Sequence, residues 1–191
     1  MPTAYDLTMG KVYDAIEPPL AEFIARQRVF FVATAPLAAD GHVNVSPKGL
    51  DAFAVLDPRT VAYLDLTGSG VETIAHIREN ERITICFCAF DGPPKIVRLY
   101  GRGTVIEPSD AAFPALRRHF GPFEAVRSVI RVALTRVADS CGYGVPLYHY
   151  EGERTQLVEW ARRKGAQGAV EYRRANNRAS IDGLPGLRGD G

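Results

Sequence analysis

Cysteine is scarce in this sequence, with three residues in 191. An odd number in a chain of this size argues against a disulfide framework, and Cys86 and Cys88, two apart on one apparent strand, are poorly placed to bond each other. Reduced thiols are expected. Charge of either sign is not in excess, because Lys+Arg 23 against Asp+Glu 22 leaves a formal net charge of +1. No overall field therefore exists to hold a nucleic acid by counterion release, and any anionic partner is small and bound locally. Long hydrophobic runs are missing too. The longest, residues 29–39, is interrupted by Thr34 and Pro36 and falls far short of a bilayer span. Residues 1–10 show neither the basic nor the apolar stretch of a secretory signal. The expectation is a cytoplasmic protein with no membrane partner.

Several catalytic and binding signatures are also lacking. Gly68-Ser-Gly70 has no third glycine at Thr73 and no flanking βαβ pattern, so it is neither a dinucleotide fingerprint nor a P-loop. No Gly-x-Ser-x-Gly elbow supports hydrolysis. His42, His76, His119 and His149 show no ligand spacing, and Cys86 and Cys88 without a matching pair make a poor zinc site, so no metal is expected. Basic runs at 162–164 and 173–174 read as solvated helix faces.

What is present is an ordinary globular composition, 46% hydrophobic and 24% charged, that predicts one domain over residues 1–191. Helices are expected over 18–27, with prolines in the first turn, over 71–79, over 109–119 with Ser109 as cap, and over 153–164 with Gly165 as stop. Between them lie strands over 28–35, 42–46, 51–56, 60–66, 83–90, 95–106 and 126–138, marked by alternation and separated by turn residues. Many strands, short turns and brief helices point to a mainly β protein. The expected architecture is a closed or nearly closed barrel of six or more antiparallel strands. The tail from about residue 175 reads as a mobile terminus or as an arm around a partner subunit. Cys141-Gly-Tyr-Gly144 reads as a tight turn with a small buried cysteine, or as a flexible loop where a thiol and a phenol meet a substrate, and Trp160 reads as a packing residue.

Three places are suited to an anion. The junction Thr67-Gly-Ser-Gly70 puts hydroxyls and free backbone N–H groups at a helix start, although turn and cap chemistry alone also accounts for it. Asn44-Val-Ser-Pro-Lys-Gly49 places Ser46 and Lys48 at a strand end, where Gly49 lets the backbone approach a ligand closely. Arg98, a cation flanked by apolar residues in a strand, points either to water or to a second anion or flavin contact.

Residues 28–119 resemble the FMN-binding split-barrel family related to pyridoxamine 5'-phosphate oxidase. The likeness rests on the strand order and on Asn44-Val-Ser-Pro-Lys-Gly49, Tyr63-Leu-Asp-Leu-Thr-Gly-Ser69, Glu79-Asn-Glu-Arg-Ile-Thr84 and Leu99-Tyr-Gly-Arg-Gly103. This resemblance implies an FMN cofactor, with Lys48 as a basic ligand beside Ser46. It makes Leu50, Asp51 and Ala52 the backbone that approaches the flavin ring, and Thr67, Gly68 and Ser69 the phosphate loop. It also implies a homodimer and a flavin-dependent oxidoreductase acting with a small-molecule substrate or electron donor such as NAD(P)H. A carrier or sensor of FMN, haem or a deazaflavin is the alternative. The Ser-Arg-Lys run and the C-terminal Arg-x-His segment of the oxidase proper are absent, which argues against pyridoxamine phosphate as the substrate.

Overall fold

In the computed structural model, residues 10–188 are described. The strands are β1 (Val12–Tyr13), β2 (Phe30–Thr34), β3 (Asn44–Lys48), β4 (Phe53–Asp57), β5 (Thr60–Leu66), β6 (Arg82–Cys88), β7 (Ile96–Ile106) and β8 (Val126–Ser140). The helices are α1 (Pro18–Arg26), α2 (Glu72–Asn80), α3 (Phe113–Arg117) and α4 (Gln156–Asn176). All strand pairs are antiparallel, in the order β3-β2-β6-β7-β8-β5-β4, with β1 added against β8.

Alternation in the sequence sets which face of this sheet is buried. Ile83, Ile85 and Phe87 of β6, Val97 and Leu99 of β7, and Phe30 and Val32 of β2 enter one core, joined by Leu20, Phe23 and Ile24 of α1. The sheet does not close. Its two ends, β3 and β4, are consecutive in the chain, and the turn at residues 49–52 bridges them without a ladder between them. Phe30 of β2 and Phe53 of β4, far apart in the sheet order, still bring their rings to 5.2 Å. The sheet therefore curls until its ends nearly meet, leaving a seam at residues 49–52. A bulge at Tyr100/Gly101 assists the curl. A Cβ on Gly101 would lie 2.4 Å from the Ala133 carbonyl oxygen, so only glycine allows this approach.

Several expectations are corrected. The short strand β1 has too few residues to show a period. The helix expected over 109–119 is only α3, which starts at Phe113 and has no side-chain cap. Gly165 (φ 66°, ψ 177°) stops the first helical segment of α4 as expected, but a second segment, which was not expected, follows it directly. The second segment resumes because Ala169 is buried and Tyr172 packs edge-on against Trp160, ring centroids 5.0 Å apart. The tail, as far as Arg188, is not free. Residues 178–187 double back as a small hairpin whose Leu187 enters the core, while Arg188 bonds Glu107 and Asp110. Residues 189–191 lie outside the described residues. Cys86 and Cys88 face away from the core and are half-buried, and Cys141 is exposed.

Candidate cofactor-binding site

Polar side chains from β3, β5 and β8 gather at the seam. The end of β3, the end of β5, residues 67–71 and the start of α2 enclose a cavity of about 240 Å³. At its base is Asp65, the lone carboxylate in the apolar strand Thr60–Leu66 and 1% exposed. Such a group stays charged only if cations and donors surround it. Arg127 approaches from β8, with Nε 2.7 Å from Oδ2 and Nη2 3.3 Å from Oδ1, and Ser128 Oγ donates at 3.2 Å. Lys48 Nζ reaches Oδ1 from β3 at 3.2 Å. Burial pushes the Asp65 carboxyl up, but Arg127 and Lys48 outweigh it and hold it below the usual carboxylate range. Two cations share one anion here, and the Glu72 carboxylate also lines the cavity.

Arg127 also shapes the loop. Its Nη1 donates to the carbonyls of Gly70 (2.7 Å) and Gly68 (3.4 Å) and to Asn177 Oδ1 (3.2 Å). Asn177 Nδ2 donates to the carbonyls of Gly68 (3.0 Å) and Ser69 (3.4 Å). Across a trans peptide the C=O and the next N–H point in opposite directions, and no cis peptide occurs among the described residues. Pinning these three carbonyls therefore turns the N–H groups of Ser69, Gly70 and Val71 away from Arg127 and Asn177. No side chain caps α2, which begins immediately afterwards. The result is a short row of N–H groups turned from Arg127 and Asn177 and leading into a helix N-terminus, the arrangement that attracts anions.

A polar chain runs behind the cavity. Ser46 Oγ donates to Asn44 Oδ1 (3.0 Å), and Asn44 Nδ2 donates to Thr73 Oγ1 (2.9 Å) and Thr34 Oγ1 (3.3 Å). Thr34 Oγ1 in turn meets His76 Nδ1 at 3.0 Å. His76 Nε2 and Tyr63 Oη are buried with no partner among the described residues. Burial lowers the His76 pKa against the opposing pull of Asp182, Glu72 and Glu79, and burial raises that of Tyr63 far up. Both side chains stay neutral.

Of the residues singled out from sequence, Ser46, Lys48, Leu50, Ala52, Thr67 and Gly68 line this one cavity. Asp51 lines a second cavity on the other side of the turn, and Ser69 an outer groove beside Val43 and Val45. Arg98 lies apart on β7, where its Nη1 donates to Ser140 Oγ at 3.0 Å. Arg127, Asn177 and Arg173, whose Nη1 donates to Thr67 Oγ1 at 3.2 Å, hold the loop and were not singled out. The reading of Arg173 as part of a solvated face is therefore corrected. Asp65 carried the missed signal, since a carboxylate in an apolar strand requires a buried cation from elsewhere. No cluster of metal-ligating side chains occurs among the described residues, and no described helix is long and apolar enough to cross a membrane.

Comparison with known proteins shows the family and the fold. The pyridoxamine 5'-phosphate oxidase family profile matches residues 16–141. A relative in Aspergillus flavus, the pyridoxamine 5'-phosphate oxidase family protein ustO, is 41% identical over 192 residues, covering 92% of this chain and 77% of its own. Among solved structures, the H111A variant of HupZ from Group A Streptococcus is similar with a TM-score of 0.51 at 23% identity, covering 65% of this chain and 98% of that one. A Lactobacillus delbrueckii protein provisionally described as a pyridoxamine 5'-phosphate oxidase gives a TM-score of 0.51 at 21% identity over 68% of this chain and 98% of its own. The two structures share the fold, and the profile and the fungal relative place the chain in the pyridoxamine 5'-phosphate oxidase family.

Proposed function

We propose that this protein binds FMN at the seam and acts as a flavin-dependent oxidoreductase on a small molecule, as a homodimer in the cytoplasm. The observation that carries this reading is the row of N–H groups at 69–71, oriented by Arg127 and Asn177 beside the Lys48 ammonium. This donor set, a cation and backbone N–H groups, fits a phosphate monoester, while the hydroxyls of Ser46 and Thr67 would have to turn from Asn44 Oδ1 and the Ala125 carbonyl, to which they donate, in order to join it. Gly68 also fits, because a Cβ there would meet nothing nearer than the Leu66 carbonyl oxygen at 4.0 Å. Space is left where a ligand would approach the loop.

Lys48 and the loop N–H groups would hold the phosphate, with Ser46 and Thr67 in the cavity wall beside it, and the backbone at 50–52 would address the ring. Bound FMN supplies hydride transfer, exchanging electrons with a small-molecule partner such as NADH or NADPH. The chain's part is to neutralise the phosphate, fix its position and keep the Asp65 carboxylate occupied by Arg127, so that it does not repel the ligand. The residues lining the cavity include no histidine, cysteine, methionine or tyrosine. A haem iron would find no axial ligand there, which favours flavin over haem.

Support for a homodimer comes from the edge of the sheet. Val43, Val45 and Ile181 are exposed at 70%, 62% and 70%, and they line the outer groove beside the proposed phosphate loop. Apolar side chains left open to water at a sheet edge are a liability that a second copy would cover.

Purified protein should be yellow or take up one FMN per chain, and the bound flavin should bleach anaerobically with NADH or NADPH and recover with an acceptor. Protein that ignores added FMN would refute binding. Bound flavin that neither reductant bleaches would identify a carrier instead of an enzyme.

A further inference from the structure

We propose that a second cavity, across the 49–52 turn from the first, binds a flat, uncharged aromatic molecule of one or two rings. The cavity has a volume of about 270 Å³, slightly below the usual range for drug-sized ligands, so its occupant is small. Its wall contains Phe30, Phe53 and Phe87. These rings meet at centroid distances of 5.2 Å (Phe30–Phe53), 4.9 Å (Phe53–Phe87) and 5.8 Å (Phe30–Phe87), the first two edge-on. Such a cluster presents both edges and faces to a further ring.

The space persists because of residue choice on α1. That helix buries Leu20, Phe23 and Ile24 in the core but presents Ala21 and Ala25, one turn apart, to the cavity. A leucine at either position would fill the gap, as interiors ordinarily do. The polar groups belong to the rim and are largely committed already. Gln27 Nε2 donates to the Phe23 carbonyl at 2.8 Å, and the Arg28 guanidinium lies 5.2 Å from the Tyr150 ring centroid. No buried charge faces the interior to pair with a charged ligand, so the occupant is neutral.

The wall shared with the first cavity gives this pocket its significance. Gly49 and Ala52 line both cavities, whereas Leu50 lines the first and Asp51 the second. Leu50 and Asp51 both have left-handed backbones (φ 63° and 52°). Two successive non-glycine residues in that region are strained, and such strain collects at ligand sites. The turn thus displays one side chain to each cavity. That the aromatic molecule is the reaction partner of the cofactor rests on the flavin reading, whereas its binding does not.

The test is calorimetric titration of the full chain with 1-naphthol, with 1-naphthoate and cyclohexanol as charged and non-aromatic controls. Naphthol should bind saturably with one site per chain, and both controls should bind roughly tenfold or more weakly. Ala25→Trp, at the exposed mouth, should weaken naphthol by about tenfold with melting temperature and FMN affinity unchanged. Ala21→Leu should do the same from deeper in the wall, while Lys48→Ala should weaken FMN and spare naphthol. Absence of saturable naphthol binding, or unchanged affinity in both alanine variants, would overturn the proposal. A parallel fall in FMN affinity in Ala25→Trp would overturn it too, because the cavity would then belong to the cofactor. Naphthol binding in a protein that takes up no FMN would support the pocket and reject the flavin reading.

Discussion

The two sides of the seam are built by opposite means. On one side Lys48, Asp65, Arg127 and Asn177 form a charged, hydrogen-bonded cluster in which Arg127 and Asn177 are buried and each serves several partners. On the other, Phe30, Phe53 and Phe87 pack with no polar contact among them. Close packing tolerates rearrangement, because no single contact is indispensable. The charged cluster does not, since removal of one member leaves another buried without a partner. The difference suits the tasks assigned to them: fixing a phosphate demands rigid donors, and accepting a small apolar ring demands only shape.

The sharpest way to break this contrast is to damage each side equally. Asp65→Ala and Phe30→Ala should each cost about 3–5 kcal/mol in denaturant unfolding, one by stranding Arg127 and the other by opening a cavity. Only Asp65→Ala should also abolish FMN binding at concentrations where the protein remains folded. Equal loss of FMN in both variants would mean that the sides are not separate.

Next in size is Lys48→Ala. Its side chain is 24% exposed and Arg127 still holds both Asp65 oxygens without it, so its loss should cost less stability than Asp65→Ala while weakening FMN by about 1.5–3 kcal/mol, the worth of a charge-assisted bond. Asn177→Ala should follow, at about 1–3 kcal/mol in stability for the loop carbonyls and Arg127 contact left unsatisfied. FMN should also weaken in this variant, although Asn177 is not among the residues lining the cavity.

Asn177 shows where sequence reading stops. Alternation and turn residues made most strands legible, and Ser46, Lys48, Thr67 and Gly68 were visible because local chemistry marks them as strand-end and loop donors. Arg127 and Asn177 look like an ordinary strand cation and a tail amide. They acquire their roles from contacts 62 and 109 residues away in the chain, which no local pattern encodes. The same applies to the tail, whose glycine-rich composition suggests freedom while Leu187 anchors it in the core. Arg98 shows the converse: its local pattern marked a ligand contact, but the register of β7 sets it opposite Ala138, away from the cavity.

The smallest expected effects concern pH. Burial keeps the His76 pKa below its ordinary 6.5, so the unfolded chain takes up a proton that the native state refuses. Stability should fall as pH drops below about 6.5 toward the lowered native value. Asp65 is depressed from 3.8; its contribution is complete above that value and lost as pH falls through the lower native one. Melting temperature against pH should therefore decline in two steps, with His76→Gln removing only the upper. His42 works in the opposite sense, because its hydrogen bond to Asp182 raises its pKa. Its contribution is present below about 6.5 and is lost as pH rises through the raised value. His42→Ala should slightly steepen the upper decline, and a flatter profile in that variant would contradict this assignment.

The central claim, that the loop at 67–71 together with Lys48 receives the phosphate of FMN, is tested most directly by flavin fluorescence titration of wild type, Lys48→Ala and Gly68→Leu. Gly68 has no left-handed backbone to strain, so leucine there should fold and simply occupy the ligand's space. Wild type should bind one FMN per chain, with affinity reduced roughly tenfold or more in each variant and riboflavin, which lacks the phosphate, bound weakly by all three. Equal affinities for FMN and riboflavin in wild type, with neither substitution affecting them, would contradict the account.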